Sequence, residues 1–431
     1  MKNRRSVIAQ CVLPGLLLTS FFSGCSALQR HSRTGTRDHA FIVYWPPSEN
    51  SKRLRLAVKD LIDMKGVVTT AGSEYVATTS PPASRDAQCL ELARERNVQI
   101  VGKTNVTEFA VTVSGKNSYF RTPRNFADGK HRFIPGGSSS GSAVAVETGM
   151  ADVAFGTDTA GSIRLPAACC GILGLKTTFG LVPIKGVFPV SPKHLDTVGP
   201  MAKDMTHLVQ GMDLLQRGFT ARYESAVAAE PSAKDIRIGR LYLDGTDPAI
   251  DKAIDDALAA KRFKVIKLDQ AFKAKWEQAQ KDGKTVAFTD IWLNDQKYTD
   301  KKGVRATTKA VINLGKLDPT TSNYDDALKR QAAWQHDLRQ VFKKVDFIAL
   351  PTMQKLPPKF PFFGRTVVFE LEVFNTQNTV AVNFAGNPAL AMPIPMPVKG
   401  KAVPVTSLQL IGPRLSEAKL LNAGRLIEAG R

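Results

Sequence analysis

Apolar and polar positions change in short blocks along this chain, and the blocks predict alternating strands and helices. LRLAVKD (54–60) alternates apolar and basic positions before an acidic stop, which predicts a strand ending at Lys59 and Asp60. Turns follow at Lys65-Gly66 and at Gly72. DAQCLELARERN (86–97) sets Cys89, Leu90 and Ala93 on one helical face, and VQIVG (98–102) is a buried-strand candidate. Strand, turn-rich loop, helix and strand in that order is α/β organisation. The stretch 114–135 is irregular and rich in Asn, Gly, Arg and Pro, and a long loop of this kind inside a compact protein points to function or disorder.

That loop runs into GGSSSGSAVAVETGMADVAFGTDTAGSIRLPA (136–167). A Gly/Ser-rich stretch is commonly a linker, but the apolar runs Ala143–Val146 and Val153–Phe155 are what packed elements need. The segment therefore predicts a glycine-rich turn, a short buried helix, a short strand and a second turn at Thr157–Ser162. IRLPAACCGILGLKTT then predicts a helix limited by Pro166 and Gly171, with a strand after it. Further on, strands are predicted at 236–243, 263–268 and 345–352, and helices at 248–260 and 324–344. The span 287–321 is poorly periodic and predicts a lobe or cover over a site. NFAGNPALAMPIP and VTSLQLIG predict sheet strands, with a terminal helix starting near Ser416 and carrying Glu417 in its first turn.

The first 25 residues are a different kind of sequence. Lys2, Arg4 and Arg5 precede an apolar run from Val7 to Phe22 that ends in Ser23-Gly24-Cys25, the layout of a secretory signal. The ending resembles a bacterial lipoprotein cleavage site with Cys25 as the lipidated residue. A plain signal cut near Ala27 and a short anchor are the alternatives. Localisation is then exported, periplasmic or at the cell envelope, with 26–39 a polar, basic tether and 40–431 a single folded domain. No other 20-residue apolar span occurs, so a polytopic membrane protein is excluded.

Lysine and arginine total 59 against 39 acidic residues, a net charge of +20, which attracts anionic surfaces such as an envelope. The basic residues are dispersed, without interleaved stacking aromatics or zinc ligands, so nothing points to specific nucleic-acid binding. The densest basic stretch, 261–284, reads as a solvated helical face. Past the leader only Cys89, Cys169 and Cys170 remain, which gives neither a disulfide framework nor a metal-binding Cys-x-x-Cys.

Which serine does chemistry is then the question. GSSSG (137–141) matches a Gly-x-Ser-x-Gly elbow centred on Ser139, but the elbow needs a strand before it and a partnered histidine after it. Pro135 stands where the strand would be, and His194, His207 and His336 have undistinguished surroundings. A lysine can replace histidine when burial lowers its pKa toward neutrality, given a hydroxyl relay and backbone donors for the oxyanion. Lys59, the 136–142 loop and the 157–162 turn supply those parts.

At these residues the chain resembles the amidase signature family. The resemblance covers AVKD (57–60), GVVTTAGS (66–73), GKTNVTEFA (102–110), GGSSSGS (136–142), GTDTAGSIRLPAACCGILGLKTTFG (156–180), LDTVGPMAKD (195–204), the closing Gly-x-Pro-Ala strand and LQLIG (408–412). It implies an α/β fold with a large mixed twisted sheet covered by helices on both faces, and 205–345 as the more variable, substrate-side region. It also implies hydrolysis of an amide without metal or cofactor: Lys59 as base, Ser138 as relay behind a cis Gly137-Ser138 bond, and Ser162 as nucleophile. Backbone N–H groups of Thr159, Ala160, Gly161 and Ser162 would bind the oxyanion. Asp158, Arg164, Gly137 and Ser139 would support the loops, while Lys103, Thr104, Asn105 and Glu108 would tie the strand after the first helix to the site.

GGSSSGS and TDTAGS depart from the commonest family loops and resemble the allophanate hydrolase branch. Arg121 replaces a frequent glycine, and either grips an anionic substrate or points to solvent. The partner implied is a small amide or peptide amide, with a ureide as the alternative. A non-catalytic binding lipoprotein that kept the fold is the rival reading, and intact Lys59, Ser138 and Ser162 speak against it.

Overall fold

The computed structural model describes residue 36 and residues 38–48, 51–127, 129–317, 321–361, 366–375, 377–396 and 405–428. The leader at 1–25, with Cys25, and most of the tether at 26–39 lie outside the described residues. Eleven strands form one mixed sheet: β1 Phe41–Tyr44, β2 Arg55–Lys59, β3 Gln99–Thr104, β4 Val153–Asp158, β5 Leu173–Lys176, β6 Thr197–Ala202, β7 Arg237–Arg240, β8 Lys264–Lys267, β9 Phe347–Pro351, β10 Ala389–Pro395 and β11 Val405–Ile411. Their order across the sheet is β1-β3-β2-β4-β6-β5-β10-β11-β9-β7-β8. β2 runs parallel to both β3 and β4, and β7 parallel to both β8 and β9, while the other neighbours are antiparallel.

Strand alternation decides which side chains reach the site. Leu56 and Val58 of β2, with Val153 and Phe155 of β4, enter one apolar cluster on one sheet face together with Leu208 and Met212. Ala57 and Ala154 enter the cluster on the other face, with Ala143, Val144 and Ile163. The small alanines allow the helix Ser140–Glu147 to lie close on that face, and its residues 140–146 are all buried. Gly141 makes the same point by necessity: a Cβ there would lie 2.2 Å from the Ala40 carbonyl oxygen and 2.4 Å from the Asn105 nitrogen. With a period of two, Lys59 shares the face of Ala57, directly under the segment that leads into this helix.

Several elements differ from the sequence expectation. Residues 88–97 form a 3-10 turn and the short helix Glu91–Glu95, closed by Asn97 at φ 50°. The poorly periodic span is helical: Gln270–Asp295 is one 26-residue helix, followed by Ala306–Leu317. Its apolar period is blurred by buried polar residues with partners elsewhere. Lys273 pairs with Asp244, Asp282 with Arg330, and Asp290 accepts from Ser191 and Tyr324. The first part of NFAGNPALAMPIP is helix rather than strand, because Val380–Ala385 is helical until Gly386 at φ 74° closes it. β10 begins only at Ala389.

Candidate active site

β2 and β4 are parallel, and their register places Val58 beside Phe155, so Lys59 emerges next to the end of β4. Lys59 is fully buried, and its Nζ donates to Ser138 Oγ at 2.8 Å and to Thr157 Oγ1 at 2.7 Å, with the Thr157 carbonyl oxygen at 3.5 Å. Burial lowers the Lys59 amine to about 7, although the carboxylates of Asp158 and Asp196 pull the other way. A neutral amine has two hydrogens and one lone pair. In that form the Thr157 oxygens can take the two hydrogens and the lone pair can accept from the Ser138 hydroxyl, reversing the donation made by the protonated amine. The Gly137-Ser138 bond is cis, as the resemblance implies.

Ser138 and Ser162 belong to loops that touch, since the Ser139 N–H donates to the Ser162 carbonyl at 3.2 Å. Behind Ser162, Asp158 organises the turn. Its Oδ1 accepts from the Gly161 N–H at 2.8 Å and its Oδ2 from the Ile163 N–H at 3.1 Å. Arg164 closes on both oxygens, with Nη2 to Oδ1 at 2.9 Å and Nε to Oδ2 at 3.0 Å. Burial alone would raise the Asp158 pKa, but the Arg164 guanidinium and the Asn383 amide hold it well below the carboxylate range. Arg164 also donates to the Thr379 carbonyl, to Gln409 Oε1 and to Asn383 Oδ1, so one buried guanidinium ties the turn to β11 and to the helix Val380–Ala385.

Because Asp158 takes the Gly161 amide, the expected set of oxyanion donors narrows to Thr159, Ala160 and Ser162. Gly161 has φ 130°, and a Cβ there would meet Thr379 Oγ1 at 2.4 Å. The turn therefore requires glycine at this position. Thr159 and Ala160 are held from outside: Thr159 Oγ1 donates to Asp196 Oδ1 at 2.6 Å, and Thr379 Oγ1 donates to the Ala160 carbonyl at 2.6 Å. Thr157, Asp196, Thr379 and Asn383 were not picked out by sequence reasoning. Asp196 lies in the LDTVGP segment and Thr157 in the TDTAGS turn, whereas Thr379 and Asn383 are more than 200 positions away from the turn and no spacing points to them.

Thr159, Ala160 and Ser162 line a narrow recess with a cavity volume of about 40 Å³. Its other walls come from Ala110–Val113, Val190, the helices Gln270–Asp295 and Ala306–Leu317, and the helix Thr366–Asn375. The last of these lies outside the 205–345 span expected to face substrate.

Among the remaining sequence candidates, Ser139 Oγ donates to the Thr157 carbonyl at 3.3 Å, a supporting contact, while Ser140 Oγ is buried without a partner among the described residues. Lys103 pairs with Asp60 at 3.1 Å, Thr104 Oγ1 meets Ser142 Oγ at 2.7 Å, and Glu108 accepts from Ser73 Oγ at 2.7 Å. Arg121 is exposed and is not among the recess-lining residues. Its φ of 66° accounts for glycine suiting this position, and its carbonyl accepts from Asn105 Nδ2 at 2.7 Å. A second buried amine, Lys176, is also lowered to about 7 by burial, then by Arg164, but it donates to the Thr177 and Asn387 carbonyls and faces no hydroxyl.

Comparison with known proteins agrees with this geometry. The family model described as Amidase matches residues 54–421. A glutamyl-tRNA(Gln) amidotransferase subunit of Natronomonas pharaonis is 33% identical over 413 residues, covering 86% of this chain and 93% of its own. Among solved structures, the glutamyl-tRNA(Gln) amidotransferase subunit of Thermotoga maritima superposes with a TM-score of 0.72 at 25% identity, covering 90% of this chain and 87% of its own. The allophanate hydrolase of Kluyveromyces lactis superposes with a TM-score of 0.75 at 23% identity, covering 91% of this chain and 67% of its own, a likeness of fold. With a Lys-Ser pair at hydrogen-bond distance, a glycine turn behind a second serine and a match from residue 54 to 421, the chain belongs to the amidase signature family.

Proposed function

We propose that this protein cleaves a linear amide C–N bond through an acyl-enzyme on Ser162. The observation that carries the reading is the contact of 2.8 Å between a fully buried Lys59 amine and Ser138 Oγ. Neutral Lys59 takes the Ser138 hydroxyl proton while Ser138 takes that of Ser162, and Ser162 Oγ attacks the amide carbonyl. Amides from the set Thr159, Ala160 and Ser162 bind the oxyanion; loss of one such donor elsewhere costs about 3–4 kcal/mol. The proton on Lys59 returns through Ser138 to the leaving nitrogen, the C–N bond breaks, and the amine departs. Water repeats the relay, the carboxylic acid leaves, and Lys59 is neutral again.

The test is labelling of the purified chain with a fluorophosphonate, followed by peptide mass spectrometry. Wild type labels on Ser162 and Ser162→Ala does not. A folded wild-type chain that neither labels nor hydrolyses any small amide contradicts the reading and favours a binding protein.

One observation favours a second reading. The relatives at about one-third identity are named as amidotransferase subunits, which supports release of nitrogen from an amide donor to an acceptor supplied by a partner. The acyl-enzyme half is common to both readings, and only the destination of the nitrogen differs. For location, the leader pattern at 1–25 and the charge of +20 support an exported protein held at an envelope through Cys25. Mass spectrometry of the mature N-terminal peptide tests this, and a cellular chain that retains Met1 contradicts it.

A further inference from the structure

The recess beside Ser162 is apolar to a degree that constrains the substrate. Val111, Phe288, Ile291, Val311, Leu371 and Phe374 are among its lining residues, and Phe288 and Phe374 form a wall with ring centroids 5.4 Å apart at 58°. Among the described residues that line it, none is basic. The one charged group, Glu370, is turned to the chain itself: Oε2 accepts from the Val113 and Ser114 N–H groups, both at 2.9 Å, and Oε1 accepts from Ser114 Oγ at 2.5 Å. Other polar atoms come from Thr112, Thr159 and Ser162. A second recess shares Thr112 and Glu370 with the first and holds Glu108, Lys116, Asn117 and Arg305, but Ser162 does not line it. The charged side chains of this second recess lie beyond Glu370, and at the first the Lys284 amine stands 5.5 Å from the Phe374 ring centroid without being one of the lining residues.

We propose that the group which the scissile amide places against this recess is uncharged and apolar, with Phe288, Val311 and Phe374 as specificity-determining residues. This deepens the acyl-enzyme reading and rests on it. A free α-amino acid such as glutamine, or a carboxylated urea, would bring a charge that no described lining residue pairs, and an unpaired buried charge is strongly disfavoured. An apolar group instead removes the aromatic wall and its own surface from water. The apolar group can belong to the acyl half or to the amine half of the amide, and the two are separated by substrate choice.

The experiment compares kcat/KM of the purified chain for benzamide and isobutyramide (apolar acyl), acetanilide (apolar amine), and glutamine and malonamate (charged). At least one apolar arm is expected to exceed both charged amides by about 100-fold or more, the scale on which a pocket discriminates against groups it cannot satisfy. Val311→Arg is expected to lower the apolar rate at least about tenfold, a loss of the size expected when a pocket wall is altered. Should that variant not fold, Val311→Thr keeps the volume and should narrow the same ratio. Where turnover is slow, protection of Ser162 from the fluorophosphonate by phenylboronic acid is compared with protection by 2-carboxyethylboronic acid, with the phenyl compound expected to protect better. Equal or better turnover of the charged amides, or equal protection, overturns the proposal. If Ser162 labels while charged amides are preferred, the acyl-enzyme reading survives and this one falls; absence of labelling removes both.

Discussion

At the scale of single residues, the proposed chemistry turns on an amine whose pKa burial lowers toward neutrality. Burial lowers Lys59 to about 7, against roughly 10.4 for an unperturbed lysine. Between those two values the unfolded chain holds a proton that the folded chain does not, so stability falls as pH drops from about 10 toward 7 and the full penalty persists below. Lys59→Met removes that penalty while leaving the stem volume. It is therefore expected to lose activity by at least about 10²-fold, within the range of general-base contributions, and to melt no lower than wild type at pH 7 in a calorimeter. A Lys59→Met chain that is both inactive and less stable would instead mark Lys59 as a structural residue. Gly161→Ala tests the turn: at φ 130°, with Thr379 Oγ1 2.4 Å from the added Cβ, it should cost about 1–3 kcal/mol in denaturant titration and remove activity. Ser138 and Ser162 stood out in the sequence in short glycine-marked motifs, and Lys59 as the basic end of the LRLAVKD strand pattern. Thr157, which holds the amine from its other side, offers only a common residue type in a turn already crowded with candidates.

At the scale of elements, the 158–162 turn is braced by a buried ion pair together with hydrogen bonds to Asp196 and from Thr379. Asp158 bonds the Gly161 and Ile163 amides and Arg164, and Arg164 reaches Thr379, Asn383 and Gln409. Asp158→Asn leaves a buried guanidinium without its counter-charge and is expected to destabilise by about 3–5 kcal/mol in urea titration. Pairing it with Arg164→Met should recover part of that stability but none of the activity, because the turn stays unbraced. Full recovery of turnover in the double variant would contradict the bracing role. β2 was readable from its apolar-basic alternation, and β4 and the 140–147 helix from the compact apolar runs Val153–Phe155 and Ala143–Val146, although all three are buried on more than one face. The helix Gln270–Asp295 was legible only in part: its basic first half read as a solvated helical face, but its buried Lys273 and Asp282, paired with Asp244 and Arg330, and its continuation through Asp290, which accepts from Tyr324, did not show in the pattern. The last turn of the Val380–Ala385 helix, from Asn383, read as strand for a different reason: its residues are all buried, so periodicity could not separate the two.

At the scale of the molecule, the sheet brings its parts together from both ends of the chain. Lys59 ends β2 and Ser162 sits in the turn after β4, both in the first half, while Arg164 is anchored on β11 and the 366–375 helix walls the recess. Those long-range placements were beyond sequence reasoning, which saw the class of sheet but not which helices close over the nucleophile. The net charge of +20 predicts a further whole-molecule property. The chain without residues 1–25, which loses only Lys2, Arg4 and Arg5 of its basic residues, should co-sediment with anionic phosphatidylglycerol vesicles at low salt and be released near 0.5 M NaCl, where screening is short-ranged, at roughly 4 Å. Binding that is unchanged by salt would show that charge is not its cause. The relay itself is tested most directly by the pH dependence of fluorophosphonate labelling at Ser162. A neutral Lys59 base predicts a rate that rises with pH through about 7, as the amine loses its proton, and a rise that is lost in Lys59→Met. A rate that is flat across neutral pH and climbs only near 10, or a neutral titration that persists in Lys59→Met, would contradict it.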